Sequence, residues 1–477
     1  MSIDAEVIII GAGISGLKAA ADLHEKNIST LVLEARPRTG GRIYTERSAN
    51  SKYHYDLGAS WFHCTMENPI FEKFVNEWYS PKDTVYDDAK VGFILDTKTG
   101  SFPKNCNIGP IVDEMKYFVA NLKEDQSLQN SVIDFIKLRK NLLNKNEIKY
   151  STALFKAAEL MNGCDWSMIG SKFSYGPFNG RDSFNTIGYD KVIEKILQNY
   201  PMENIKLNEI VKNVEKIENV NEDDNEDKII KITTTNGKIY KCKYLIVTIP
   251  LGVLKLSVSD PDAEGAITFT PELPKQITDN FSKTHFTTLS KVIVEFEEAF
   301  WPDNDKFLVL PVPKDDELDI TKVYETAEFD NYENSEPVRA FEFPCLVANY
   351  NVVRKVPALM FLLPSQPSKQ IESAVDPKKY GYELVKPIIA KMADILEFEI
   401  PEPKLVLTTN WHSDPFSRGA ISTCAVNDIF INDALVDGFG NIRFAGENTS
   451  YKGRACAHGA YISGAREAAF IAKELGK

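Results

Sequence analysis

Between Glu6 and Arg42 the chain spells a strand, a glycine turn and a second strand at a spacing that leaves few folds open. Val7-Ile8-Ile9-Ile10 is too short for a helix and β-branched throughout, which suits a strand buried on both faces of a parallel sheet. Gly11-Ala12-Gly13-Ile14-Ser15-Gly16 follows. In this spacing Gly11 permits the tight turn, Gly13 lets backbone approach a pyrophosphate, and Gly16 lets the next helix pack on the strand. That helix, predicted over Ser15 to Glu25, points its first N–H groups at the phosphates. Thr30-Leu31-Val32-Leu33 then reads as a strand delivering Glu34 about 20 residues past the glycines. A carboxylate there accepts hydrogen bonds from ribose hydroxyls and repels a 2′-phosphate, which disfavours NADP.

A glycine fingerprint alone is a common turn, so its strand–helix–strand setting carries the weight. Arg38 and Gly40-Gly41-Arg42 add a second close backbone approach and a fork-shaped cation, both suited to a diphosphate. The expectation is an FAD-binding oxidoreductase, with Gly11, Gly13, Ile14, Ser15, Gly16, Glu34, Ala35, Arg36, Gly41 and Arg42 as cofactor-binding candidates.

At 477 residues the chain exceeds one ordinary core, so two domains are expected. The net charge of −13 disfavours nucleic acid, whose phosphates need a basic footprint, and suits either simple solubility or a cationic small ligand. Seven scattered cysteines without a CxxC pair read as reduced thiols of an intracellular protein. No basic leader, bilayer-length apolar run or peroxisomal tripeptide is seen, so a cytoplasmic protein without a membrane partner is expected, as monomer or homodimer.

Helical periodicity runs from about Asn107 to Met161, and strand character returns from Ile205 to Tyr240 around the acidic stretch Asn221 to Asp227, read as a solvated hairpin tip. Asn236-Gly237 marks a turn. Tyr244 to Pro250 reads as a buried strand. Leu289 to Phe296 is another strand, with one lysine, Lys291, in an apolar run. Lys314 to Pro337 is an acid-rich insertion, Tyr380 to Leu396 an amphipathic helix, and Leu405-Val406-Leu407 a strand starting the return to the nucleotide side. Asn441 to Thr449 is a strand ending in a glycine-acid turn, then glycines 453, 459 and 464 lead into a last helix. Such a strand-to-helix junction can approach a second cofactor group.

These residues resemble the flavin-containing amine oxidases, most closely the fungal polyamine (spermine) oxidases, across essentially the full chain. The resemblance rests on the glycine fingerprint with Glu34, on Arg38 to Arg42, on Asp56-Leu57-Gly58-Ala59-Ser60-Trp61-Phe62-His63, and on Lys291. It continues through Asn410-Trp411, Asp414 to Gly419, and Phe444-Ala445-Gly446-Glu447. It implies an α/β, α+β two-domain architecture: a Rossmann-like FAD-binding domain from residues 1–85, 185–285 and 406–477, and a mixed-sheet and helical substrate domain from 86–184 and 286–405. Gly58, Ala59, Ser60, Trp61, Val211, Trp411, Gly446, Glu447, Ala455 and Cys456 join the cofactor-binding candidates.

The resemblance also assigns roles. By strand alternation Lys291 would be an outward-facing sheet lysine, whereas the family's matching lysine holds a water near flavin N5. Burial would lower its pKa and suit it to proton handling. His63 is either a satisfied structural histidine or, by the resemblance, a catalytic and substrate-orienting one. Asp88, beside Asp87, is by default a surface acid; the resemblance has it register the distal end of a polyamine. Trp411 would cover the flavin ring. Ala420 stands where covalently flavinylated relatives carry cysteine, which implies non-covalent FAD. Ile421 and Cys456 replace the two tyrosines that frame the amine in monoamine oxidases, which argues against a small aromatic amine.

The implied reaction is oxidation of a neutral secondary amine of a polyamine with O2 as acceptor, giving an aldehyde, a shorter amine and H2O2. The alternative is a flavoprotein that binds an apolar or steroid-like ligand without turnover. A chromatin demethylase would need a coiled-coil insertion or a chromatin-binding appendage, and neither is seen in the sequence.

Overall fold

The structure is a computed structural model, and it describes residues 2–47, 51–88, 91–95, 102–174, 180–217, 229–312, 337–393 and 400–477. The acidic stretch Asn221 to Asp227 and, apart from Pro337, the insertion from Lys314 lie outside these residues.

Five parallel strands form the first sheet, in the order Ile442–Phe444, Tyr244–Val247, Val7–Ile10, Thr30–Leu33 and Ile205–Lys206. All four residues of Val7–Ile10 are buried, as their β-branched run predicts for a central parallel strand. The following helix, Ile14–Glu25, starts one residue earlier than predicted. It packs against the last helix, Ala457–Glu474, and Gly464 makes the close approach possible: a Cβ there would lie 2.1 Å from the Ser15 carbonyl oxygen. The two ends of the chain thus close on one another.

A second, mixed sheet of six strands runs Leu405–Thr408, Ser290–Glu295, Ala358–Leu363, Cys345–Asn349, Lys306–Leu310 and Val91–Leu95. Its last pair is parallel and the others antiparallel. Leu405–Thr408 therefore completes this sheet, and the chain leaves it only after Thr408. The helix Pro377–Met392 covers one face, capped by the Asp376 side chain, with Gly381 against Val292. Helices Ile108–Ala120, Leu128–Arg139 and Lys145–Lys156 form a layer around Met115, Val132, Phe135 and Trp166. A small sheet pairs Trp61–Phe62 with Ser183–Asn185, and the latter with Thr84–Tyr86.

Every residue of Ser290–Glu295 is buried. Side chains alternate along a strand: Val292 and Val294 face the covering helix, while Ile293 joins Tyr55 and Leu57 on the other side. Lys291 shares the Ile293 face, so the strand offers it no solvent side. The outward-facing reading of this lysine fails because both faces of the strand are covered.

Candidate active site

The carboxyl ends of the parallel strands open into a cavity with about 1690 Å3 of empty space, the open solvent at its mouth included.

The dinucleotide end is built from backbone. In Ile14–Glu25 the first N–H to find a helical carbonyl is that of Leu17, and no acidic residue occupies the first turn. The N–H groups before it are free for an anion. Gly13 has open space where a Cβ would stand, while a Cβ on Gly41 would lie 3.2 Å from Gly13 Cα. Together Gly11, Gly13, Gly40 and Gly41 leave a side-chain-free cradle, which fits a pyrophosphate. Gly16 does not line the cavity. A Cβ there would lie 2.1 Å from the Gly11 carbonyl oxygen, so its part is packing.

Glu34 is 4% exposed; its Oε2 accepts from Ala12 N–H at 2.7 Å and its Oε1 from Arg36 N–H at 2.8 Å. Two backbone donors fix the carboxyl group, and each oxygen keeps acceptor capacity for a ribose hydroxyl. Arg36 donates to Asp414 at 2.7 Å and to Ser417 at 2.8 Å. Arg42 donates to the Ala420 carbonyl at 2.7 Å and to Glu447 at 3.1 Å. These arginines tie the first 42 residues to the last segment. Arg38 does not line the cavity; its guanidinium lies 4.3 Å from the Tyr44 ring centroid, a stacking role instead of a diphosphate contact.

Ala35, Val211, Gly446, Glu447 and Ala455 line the same cavity, as do Ile14, Ser15, Gly58, Ala59, Ser60, Trp61 and Trp411. The Trp411 indole N–H donates to the Leu57 carbonyl at 3.0 Å, which fixes the ring in the wall. Buried Glu447 accepts from the Ser422 hydroxyl and the Ala455 N–H as well as from Arg42.

Lys291 is 6% exposed and lines the cavity. Its Nζ donates to the carbonyls of Asp56 at 2.9 Å and Gly58 at 2.5 Å, and to Ser60 Oγ at 2.5 Å. An ammonium has three protons, and all three are taken. Burial pulls its pKa down to about 8, against the opposing pull of Asp56. A group balanced between charged and neutral near physiological pH can exchange a proton at the cavity wall.

His63 lines the cavity with Nδ1 2.8 Å from Asp182 Oδ2. Ile421 and Cys456 also line it, and burial raises the Cys456 thiol pKa. Asp88 does not belong to this wall. It is exposed and paired with Arg181 at 2.5 Å, whose guanidinium stacks 3.5 Å from the Tyr86 ring centroid. Asp87 is likewise held by Lys306 at 2.8 Å. Both acids pair with cations, Asp88 at an exposed position outside the cavity wall.

Sequence reasoning passed over Thr248, Glu209, Ser417 and Asp182. Thr248 lines the cavity just past Tyr244–Val247, and the rule that ligands bind beyond the carboxyl ends of parallel strands marks that position. Asp182 carries no signal along the chain. It meets His63 because Phe62 pairs with Ser183 across the small sheet. Among the described residues no disulfide joins any of the seven cysteines, no group of side chains is arranged to hold a metal, and no helix is long and apolar enough to cross a membrane.

Residues 14–472 match the family model of flavin containing amine oxidoreductases, and the chain belongs to that family. FAD is its cofactor, and the glycine cradle and Glu34 are arranged to take it. The chain is 29% identical to a corticosteroid-binding protein of Candida albicans, over 96% of this chain and 94% of that protein. It is 25% identical to probable polyamine oxidase 4 of Arabidopsis thaliana, over 97% and 86% of the two chains. With a lysine-specific histone demethylase 1 homolog 3 of Oryza sativa it shares 26% identity, spanning 98% of this chain but only 54% of that protein. Among solved structures, cyclohexylamine oxidase from Brevibacterium oxydans superposes with a TM-score of 0.69 at 17% identity, covering 99% of this chain and all of the other. That likeness establishes the fold.

Proposed function

We propose that this amine oxidase acts on spermine-type polyamines, at a carbon beside a secondary amine. The balanced reaction is R–CH2–NH–R′ + O2 + H2O → R–CHO + R′–NH2 + H2O2. When bound, FAD supplies the hydride acceptor and the route of the electron pair to oxygen. The chain binds and orients the amine, and selects its neutral form. His63 offers the amine a hydrogen-bonding partner, and Lys291 handles a proton at the wall of the same cavity. Ala420 has no nucleophile to bond the flavin, so the cofactor is held non-covalently.

The observation that carries this reading is that Lys291 and His63 both line the dinucleotide cavity, as do aliphatic Ile421 and slender Cys456. Without a pair of aromatic rings at those positions the passage suits a flexible aliphatic chain better than a flat ring system needing a cage. The name of the Arabidopsis relative agrees.

A second reading is favoured by the Candida relative, named for corticosteroid binding. The same apolar Ile421 and Cys456 would suit a steroid-like ligand held without turnover. Anaerobic mixing of the yellow protein with spermine, followed at the long-wavelength flavin band, separates the two. Bleaching that reverses with air and yields H2O2 is expected. An unchanged spectrum with spermine, spermidine and their acetylated forms, together with tight binding of a corticosteroid, would replace the first reading by the second. Since the reacting amine must be neutral, the bleaching rate should rise through an alkaline pKa.

A further inference from the structure

His63 is pinned from two directions. Its ring Nδ1 meets Asp182 Oδ2 at 2.8 Å, and its carbonyl accepts from Asn68 Nδ2 at 2.9 Å. The Asn68 amide cannot be turned round, because its Oδ1 already accepts from the N–H groups of Ile70 and Phe71 at the start of the helix Pro69–Lys73. The other oxygen of Asp182 accepts from Cys64 N–H at 3.0 Å. Cys64 holds a left-handed φ of +53°, a conformation non-glycine residues adopt when local bonds compensate. One carboxylate therefore fixes both the imidazole and the backbone turn that follows it.

A carboxylate facing Nδ1 requires the proton to be there, because carboxylate oxygens only accept. The ring's other nitrogen, Nε2, has no hydrogen-bond partner among the described residues, and His63 forms part of the cavity wall. We propose that Asp182 is a positioning residue that keeps the proton of His63 on Nδ1, so that Nε2 faces the cavity as an acceptor for the N–H of the bound amine. The second half rests on the amine-oxidase substrate reading given above; the first half does not.

The geometry makes the consequence of Asp182→Asn specific. Cys64 N–H needs an acceptor, so the single amide oxygen of the variant goes to it. The amide nitrogen is left against Nδ1 and donates to it, which moves the imidazole proton to Nε2 and leaves the amine facing a donor. The charged and titratable groups around His63 are few: Asp182 beside it, His458 and Cys456 from the terminal helix and its cap, Cys64 and Glu67 from its own loop, and Lys306 behind Asp182. His458 is held neutral, its pKa pulled down to about 4 mainly by burial.

The test uses the holoenzyme labelled with 15N-histidine, whose six histidines are few enough to assign His63 by its loss in His63→Gln. The wild type should show His63 protonated on Nδ1, and Asp182→Asn should show it on Nε2, with Asp182→Glu restoring the wild-type state. Anaerobic flavin reduction by spermine should slow by about 100-fold in Asp182→Asn, the scale of a lost acid–base contact, with an altered pH profile and recovery in Asp182→Glu. A wild-type His63 protonated on Nε2 overturns the proposal, whether or not the Asn variant folds. So does an Asp182→Asn enzyme whose tautomer, pH profile and rate match the wild type within twofold. If the tautomer inverts as stated but no polyamine bleaches the wild-type flavin, the positioning role of Asp182 stands and the polyamine reading falls.

Discussion

At its dinucleotide end much of the cavity wall comes from one short run, Ile10 to Arg42, whose glycines, helix N-terminus and Glu34 are placed by local geometry. At its substrate end Lys291, His63, Ile421 and Cys456 come from a mixed-sheet strand, a small-sheet edge, a strand of a two-stranded sheet paired with His285–Thr287, and a helix cap. The first end is built largely from backbone, with Arg36 and Arg42 joining it to the last segment. The second exists only once distant segments have paired. A change at the first should alter cofactor retention with the substrate wall intact, whereas a change at the second should alter chemistry or its pH dependence.

The sharpest break comes within the glycine fingerprint. Gly16→Val places a side chain on a Cβ 2.1 Å from backbone oxygen, and is expected to cost at least about 3 kcal/mol and abolish flavin retention, measured by thermal melting and flavin absorbance after gel filtration. Lys291→Met probes the other end. Folded Lys291 has a pKa of about 8 against the ordinary 10.5, so between these values the unfolded chain binds more protons and stability rises with pH. Wild-type stability should gain about 3 kcal/mol across that window, and Lys291→Met should lack this gain in denaturant melts at matched pH.

Glu34→Gln substitutes a donor for one of the two oxygens that serve Ala12 and Arg36 N–H groups. An FAD Kd raised by about 10- to 100-fold, or roughly 1.4 to 2.7 kcal/mol, is expected by titration of the apoprotein. Gly13→Ala enters open space, so the apoprotein should melt with the wild type while FAD binding weakens by about tenfold. A parallel fall in apoprotein stability would mean that Gly13 packs as Gly16 does. Asp88→Ala is the smallest change: the acid is exposed and paired with Arg181 away from the cavity wall, and the KM for spermine should stay within twofold. A large rise would return Asp88 to the substrate path.

Much of the cofactor end was legible along the chain, because a β-branched run buried on both faces, glycine stereochemistry and a carboxylate at fixed spacing act over about 30 residues. Arg38 shows the limit of that reading. Its motif position suggested a diphosphate, but its guanidinium stacks on nearby Tyr44, a contact no spacing rule prescribes. At the substrate end the residue types were visible and their directions were not. Alternation faced Lys291 outward, since a single strand cannot reveal that both of its faces will be covered. Asp87 and Asp88 looked free because their partners, Lys306 and Arg181, lie far along the chain.

The amino-acid sequence by itself determined the βαβ unit, the FAD cradle and the family, since each depends on residues close enough to impose geometry on one another. Tertiary structure alone decided that three acceptors surround Lys291, that Asp182 meets His63 across 119 positions, and that Asp88 pairs with Arg181. Those outcomes depend on which strands pair and in what register, and register is set by the burial of whole faces, not by any one residue.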